Sequence, residues 1–135
     1  SHPVTSHLCT RMIKLLQHTR RPDVTFCRNG RISITAAVAR TLSLRPGDSV
    51  NIATHDDELL LFAVRHDALR SARHIAMCHP TKRGSHNYCA NSVRLARLML
   101  DSCGITSSRA SFFCGEAVTL DNQTYIPIIY KHPLL

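Results

Sequence analysis

Four side chains with metal-binding chemistry, Cys78, His79, His86 and Cys89, fall within twelve residues. Thiolates and imidazoles can hold Zn²⁺ tetrahedrally. Cys78 and His79 are adjacent, however, a spacing unlike that of a zinc finger and poor for joint chelation. The plainer reading is unrelated surface His and buried Cys. The acid group Asp56-Asp57-Glu58 has the composition of a cation site or an acid–base pair. Nothing beside it in sequence would perturb its pKa values, so it reads as a solvated hairpin turn. Nine histidines are scattered, mostly beside Arg or Asp, and no Ser/His/Asp or Cys/His order marks a nucleophile. Five widely separated glycines leave no phosphate-cradling loop. The expectation is a non-enzymatic protein with no cofactor and no metal, the Cys/His cluster being kept as the alternative of a Zn²⁺-dependent small domain.

The balance of 17 Lys+Arg against 9 Asp+Glu gives a formal charge of +8. Such an excess favours polyanions, because each cation that meets a phosphate releases condensed counterions; it also serves plain solubility. Aromatics are 5% of the chain, with no Trp, which argues against base-stacking platforms for single strands. The 135 residues, 44% of them hydrophobic, suit one compact domain or two half-domains sharing a core. Six cysteines show no C-x-x-C pair and no cleavable leader is evident, so the thiols read as mostly buried and reduced, and the protein as cytoplasmic with no membrane segment.

The elements that must position these groups follow from hydrophobic period and turn chemistry. Leu8, Met12, Leu15 and Leu16 recur at helical spacing until Pro22, making 1–22 a basic helical or disordered arm. Residues 23–66 form a first half. It contains a strand at 24–27, an Asn29-Gly30 turn and a strand at 31–34. A short helix over 36–42 with Thr35 as its cap follows, then a Pro46-Gly47-Asp48 turn and strands at 49–54 and 59–64. The last of these is apolar enough to be buried on both faces. Residues 67–85 read as a linker, with a short strand near Ile75–Cys78. Residues 86–135 form a second, degenerate half. Its helix is capped by Asn91 or Ser92 and stopped by Gly104, and strands follow at 109–114, 118–120 and 124–130; Pro127 suggests an edge or a bulge. Val38-Ala39-Arg40 can be laid on Leu95-Ala96-Arg97, which brings Gly47 onto Gly104 without a gap. Duplication and chance similarity both remain open.

The run Gly30-Arg31-Ile32-Ser33-Ile34, followed by Val38 through Ile52 with Leu44-Arg45-Pro46-Gly47-Asp48 at its centre, resembles the AbrB/MazE/SpoVT family of swapped-hairpin transition regulators. The likeness covers residues 24–64, and Thr35 stands where members commonly carry Pro. It implies a mainly β (α+β) swapped-hairpin β-barrel, here a pseudo-dimer of two β-α-β-β units in one chain or else a homodimer. It also implies DNA as partner, contacted by a basic hairpin and helix edge. Carried over by position, that role falls on Arg31 and Arg40, and on Arg28 and Asn29; Arg28 and Arg31 flank the turn and could both reach phosphates or base edges. Lys82 and Arg83 add a second basic site, Arg83-Gly84 having the look of a remnant hairpin. The expected function is a transcription regulator or antitoxin-like protein. The alternative is a protein-interaction module that kept the barrel and lost DNA binding.

Overall fold

The computed structural model describes residues 21–66 and 76–135. Residues 1–20 of the expected arm and 67–75 of the expected linker therefore lie outside the described residues. In chain order the elements are β1 (Val24–Cys27), β2 (Arg31–Ile34), α1 (Ala36–Leu42), β3 (Ser49–His55), β4 (Glu58–Val64), β5 (Cys78–Pro80), β6 (Tyr88–Asn91), α2 (Val93–Ser102), β7 (Arg109–Cys114), β8 (Val118–Leu120) and β9 (Gln123–Leu134). The fold is mainly β. No helix among the described residues is long and apolar enough to cross a membrane.

Alternation builds the sheet. Val24 and Phe26 on β1, Ile32 and Ile34 on β2, and Ala110 and Phe112 on β7 are all buried, while the residues between them face out. Phe26 and Phe112 meet edge to face with centroids 5.9 Å apart. The helices add Val38, Leu42, Leu95, Met99 and Leu100 to the same core. Each such side chain contributes about 1.5–3 kcal/mol by leaving water. β4 is the exception to the expected two-faced burial: Leu61 and Ala63 point inward, but Phe62 and Val64 are only half-buried.

Strands run in the order β3-β4-β9-β7-β1-β2-β6-β5, with β8 paired to β9. The two ends of that order also meet. Ser49 bridges Met77. The Gly47 and Val50 N–H groups donate to the Cys78 and Ala76 carbonyls at 2.9 and 3.0 Å, and the Cys78 N–H donates to the Asp48 carbonyl at 2.7 Å. The sheet is thus barrel-like. Along it the β1–β2 hairpin touches β7 and β6, never β3 or β4. Exchanging β1 with β5, β2 with β6, β3 with β7 and β4 with β9 returns the same order.

Helix ends correct the ungapped overlay of the halves. Ser43 at φ 55° and Gly104 at φ 70° hold the left-handed position after α1 and α2. The next residues, Leu44 and Ile105, return N–H bonds to Ala39 and Leu100, both at 2.9 Å. Gly104 therefore answers Ser43, not Gly47, because α2 has 10 residues where α1 has 7. Two further expectations are corrected. Thr35 occupies the cap position of α1 without a side-chain cap bond, and the Ala36 N–H is met instead by Asn87 Oδ1 at 2.8 Å. Pro127 lies inside the sheet, in a strand flanked by β4 and β7, rather than at an edge; the irregular register with β7 falls further along, between the pairs at Ile129 and Leu134.

Candidate nucleic-acid interface

The tip of the β1–β2 hairpin is clamped onto the start of α2. Gly30 adopts φ +103°, and a Cβ there would lie 2.8 Å from Val93 Cγ2 and 2.9 Å from the Val93 nitrogen, so only glycine fits. Its carbonyl accepts the Ser92 N–H at 2.8 Å. Asn29 Oδ1 accepts the Arg31 N–H at 3.0 Å, a local turn that fixes the loop.

The two hairpin arginines part company here. Arg28 turns back onto the end of α2: Nε donates to the Ser107 carbonyl at 3.0 Å, Nη1 to Asp101 Oδ1 at 2.9 Å, and Nη2 to the Ile105 carbonyl. Its guanidinium is spent on satisfying the helix C-terminus and the loop that follows, where a cation is favoured. Arg31 is exposed, and no ion pair among the described residues includes it. Three exposed arginines that the sequence reading missed surround the same tip. Arg97 on α2 donates from Nε to the Arg28 carbonyl at 3.2 Å, Arg94 lies one turn earlier, and Arg109 sits opposite Cys27 on β7. The i, i+3 spacing of Arg94 and Arg97 was the available signal.

Arg40 belongs elsewhere. It lines a groove of about 310 Å³ on α1 together with Arg45 and His86. The loop joining β5 to β6 packs there through the Asn87 contact and through the Tyr88 hydroxyl, which donates to the Leu44 carbonyl at 3.2 Å. Lys82 and Arg83 on that loop are exposed. The six residues expected to contact nucleic acid thus fall into two groups: Arg28, Asn29 and Arg31 against α2, and Arg40 on α1, beside His86 of the loop that carries Lys82 and Arg83. In each group a hairpin tip of one half meets the helix of the other. Arg31 pairs Asn91 and Ile34 pairs Tyr88, so the groups lie toward opposite ends of β2 and β6, whose paired stretch is about 10 Å long.

The Cys/His cluster does not assemble. Cys78 is buried, whereas its neighbour His79 is exposed, and His79 pairs Cys89 on the outer face. Successive strand residues face opposite sides, so Cys78 cannot join a site with His79 and Cys89. No group of three or more metal-ligating side chains exists among the described residues. Burial pushes the Cys78 thiol up to about 12, with Asp48 adding to the effect. Cys27, Cys89 and Cys103 are also free thiols, half-buried rather than buried, and Cys114 is half-buried too. Asp56, Asp57 and Glu58 are exposed around the β3–β4 turn, as a solvated turn requires.

Asp48 is the buried carboxylate of the Pro-Gly-Asp turn. It accepts the Arg45 N–H at 3.0 Å, the His66 N–H at 2.9 Å and Arg65 Nη1 at 3.0 Å. Burial alone would raise its pKa, but these donors outweigh it and hold the carboxyl below its ordinary value. Arg65 also donates to the Leu42 and Ser43 carbonyls, both at 2.8 Å, and so closes α1 as Arg28 closes the end of α2.

No family model, no curated protein and no solved structure matches this chain.

Proposed function

We propose that this chain is a non-enzymatic DNA-binding protein, a transcription regulator or antitoxin-like, on an AbrB-type swapped-hairpin barrel whose two halves come from one polypeptide. The observation that carries the reading is the composite basic tip. Arg31, Arg94, Arg97 and Arg109 gather where a glycine-clamped hairpin meets a helix, and Arg40 and Arg45 line a groove on α1 with His86, from the loop that also carries the exposed Lys82 and Arg83. Exposed cations grouped on rigid elements are what phosphate contact and counterion release call for. The interleaved strand order supports the barrel type, since the hairpins of one half are separated by those of the other. Because the ends of the sheet meet, a single chain leaves little free edge to drive dimerisation. The free thiols of Cys27, Cys78, Cys89 and Cys103 favour a cytoplasmic setting.

A second reading rests on a different surface. Outward residues on β4 and β9 include Leu60, Phe62, Val64, Tyr125 and Ile129, with Phe62 and Tyr125 in ring contact at 5.4 Å, and Val118 and Leu120 are exposed on β8. That patch suits a protein partner. Fluorescence anisotropy with mixed-sequence duplex DNA, at low and physiological salt, separates the two. The DNA reading expects binding that weakens as salt rises. Absence of binding at low salt would leave the interaction module.

A further inference from the structure

The outer surface of the sheet has two unlike sides. Across β3, β4 and β9 it presents Ala53, Phe62, Val64 and Tyr125, with Asn51 opposite Phe62 and His55 at the end of β3 as its polar members. Across β7, β1, β2, β6 and β5 the register instead lines up one polar side chain per strand. Ser111 stands opposite Thr25, Thr25 opposite Ser33, Ser33 opposite Cys89, and Cys89 opposite His79. All five face out, because their strand neighbours Phe26, Ile32, Ala90, Cys78 and Phe112 are buried. Four interstrand steps make the row about 19 Å long.

The surroundings of the row point to a polyanion. Arg31 and Arg109 lie two residues along their strands from Ser33 and Ser111, on the same face and toward the β1–β2 tip. On its other side the row borders a groove of about 480 Å³ whose polar lining includes Arg21, Asp23, Thr25, Ser33, Thr35, Thr81 and Asn87, beside apolar residues such as Ile34 and Ala37. Thr35 Oγ1 is buried with no hydrogen-bond partner. The Thr25 and Ser111 hydroxyls lie 2.7 Å apart, so one donates to the other and the pair keeps one proton for an outside acceptor. Of the five positions only His79 carries a ring, so the face has no platform of Phe, Tyr or Trp on which bases would stack.

We infer that this row is a phosphate track, receiving the sugar–phosphate backbone of duplex DNA laid across the five strands with one basic tip on either side. The inference rests on the DNA-binding reading and adds a contact surface to it. Neutral hydroxyls donate to phosphate oxygens, and they position the duplex without reading its sequence.

Two substitutions that change charge equally test it by anisotropy on a 20-base-pair mixed duplex, with thermal unfolding as the check on folding. Ser33→Asp sets a carboxylate in the middle of the row; Thr54→Asp sets one at the exposed end of β3. Ser33→Asp is expected to weaken binding at least about tenfold, and Thr54→Asp by about threefold at most. The uncharged pair Thr25→Val, Ser33→Ala is expected to lose about tenfold while keeping the wild-type slope of affinity against salt, because no cation is removed. Salt-dependent wild-type binding with equal affinity for Ser33→Asp and Thr54→Asp would overturn the track and leave the DNA reading intact. So would an unaffected Thr25→Val, Ser33→Ala protein. A wild type that binds no duplex at low salt would overturn both.

Discussion

Arg28 and Arg31 have the same side chain and flank the same turn, yet their surroundings assign them different work. Arg28 satisfies carbonyls after α2 and pairs Asp101, whereas Arg31 faces solvent. Arg28→Ala should therefore lower stability by about 1–3 kcal/mol, the range for hydrogen bonds made by a charged group. Arg31→Ala should leave stability within about 0.5 kcal/mol and weaken DNA binding. Urea unfolding of both variants checks this, and a destabilised Arg31→Ala beside a wild-type-like Arg28→Ala would contradict it. From sequence the two arginines were indistinguishable, because the partners of Arg28 lie more than seventy residues away. Asp48 was legible, since a Pro-Gly-Asp turn needs an acceptor for its own amides; its Arg65 partner was not. With its folded pKa depressed, Asp48 adds stability above the ordinary carboxylate range near 4, and loses it as pH falls through the folded value. Asp48→Asn should cost about 1–3 kcal/mol at pH 7, and the gap should narrow below about pH 4. Thermal melts from pH 7 to pH 3 read this directly, and a gap of constant size would contradict it.

At the scale of elements, the strands and helices with strong local signals were readable. α1, β1, β2, β7 and β8 fall at the residues that alternation, turn chemistry and helix period indicate. β5 and β6 were not read as a hairpin. They are 3 and 4 residues long, with Pro80 and a seven-residue loop, 81–87, between their ends, so neither shows enough alternation to be seen. Capping was readable only in part. Ser92 Oγ accepts the Leu95 N–H at 3.1 Å, as its position before α2 suggests. Thr35 holds the matching place before α1, but Asn87 from the β5–β6 loop supplies the acceptor. Ser92→Ala should then cost about 1 kcal/mol and Thr35→Ala only a few tenths, whereas Asn87→Ala should cost as much as Ser92→Ala. Equilibrium unfolding of the three variants measures this, and a Thr35→Ala loss equal to that of Ser92→Ala would contradict the exchange of caps.

For the whole molecule, interleaving is the property that joins fold to function. Helices and hairpin tips from opposite halves share surfaces, so each basic group needs both halves folded together. Pairings such as β1 with β7 and β2 with β6 join residues more than fifty positions apart, which local sequence patterns do not encode. The order of elements in the two halves was legible, but not their weaving. That is also why Arg40 was grouped with Arg31 from sequence, although in space it lies beside His86 of the β5–β6 loop. If both tips contact one duplex, each contributes its own share of counterion release. The slope of log affinity against log salt tests this for the wild type, for Arg31→Ala, Arg97→Ala, for Lys82→Ala, Arg83→Ala, and for all four substitutions combined. Each pair should reduce the slope by about 2, and the fourfold variant by about 4. A wild-type slope near zero, or one that neither pair changes, would contradict the two-tip account.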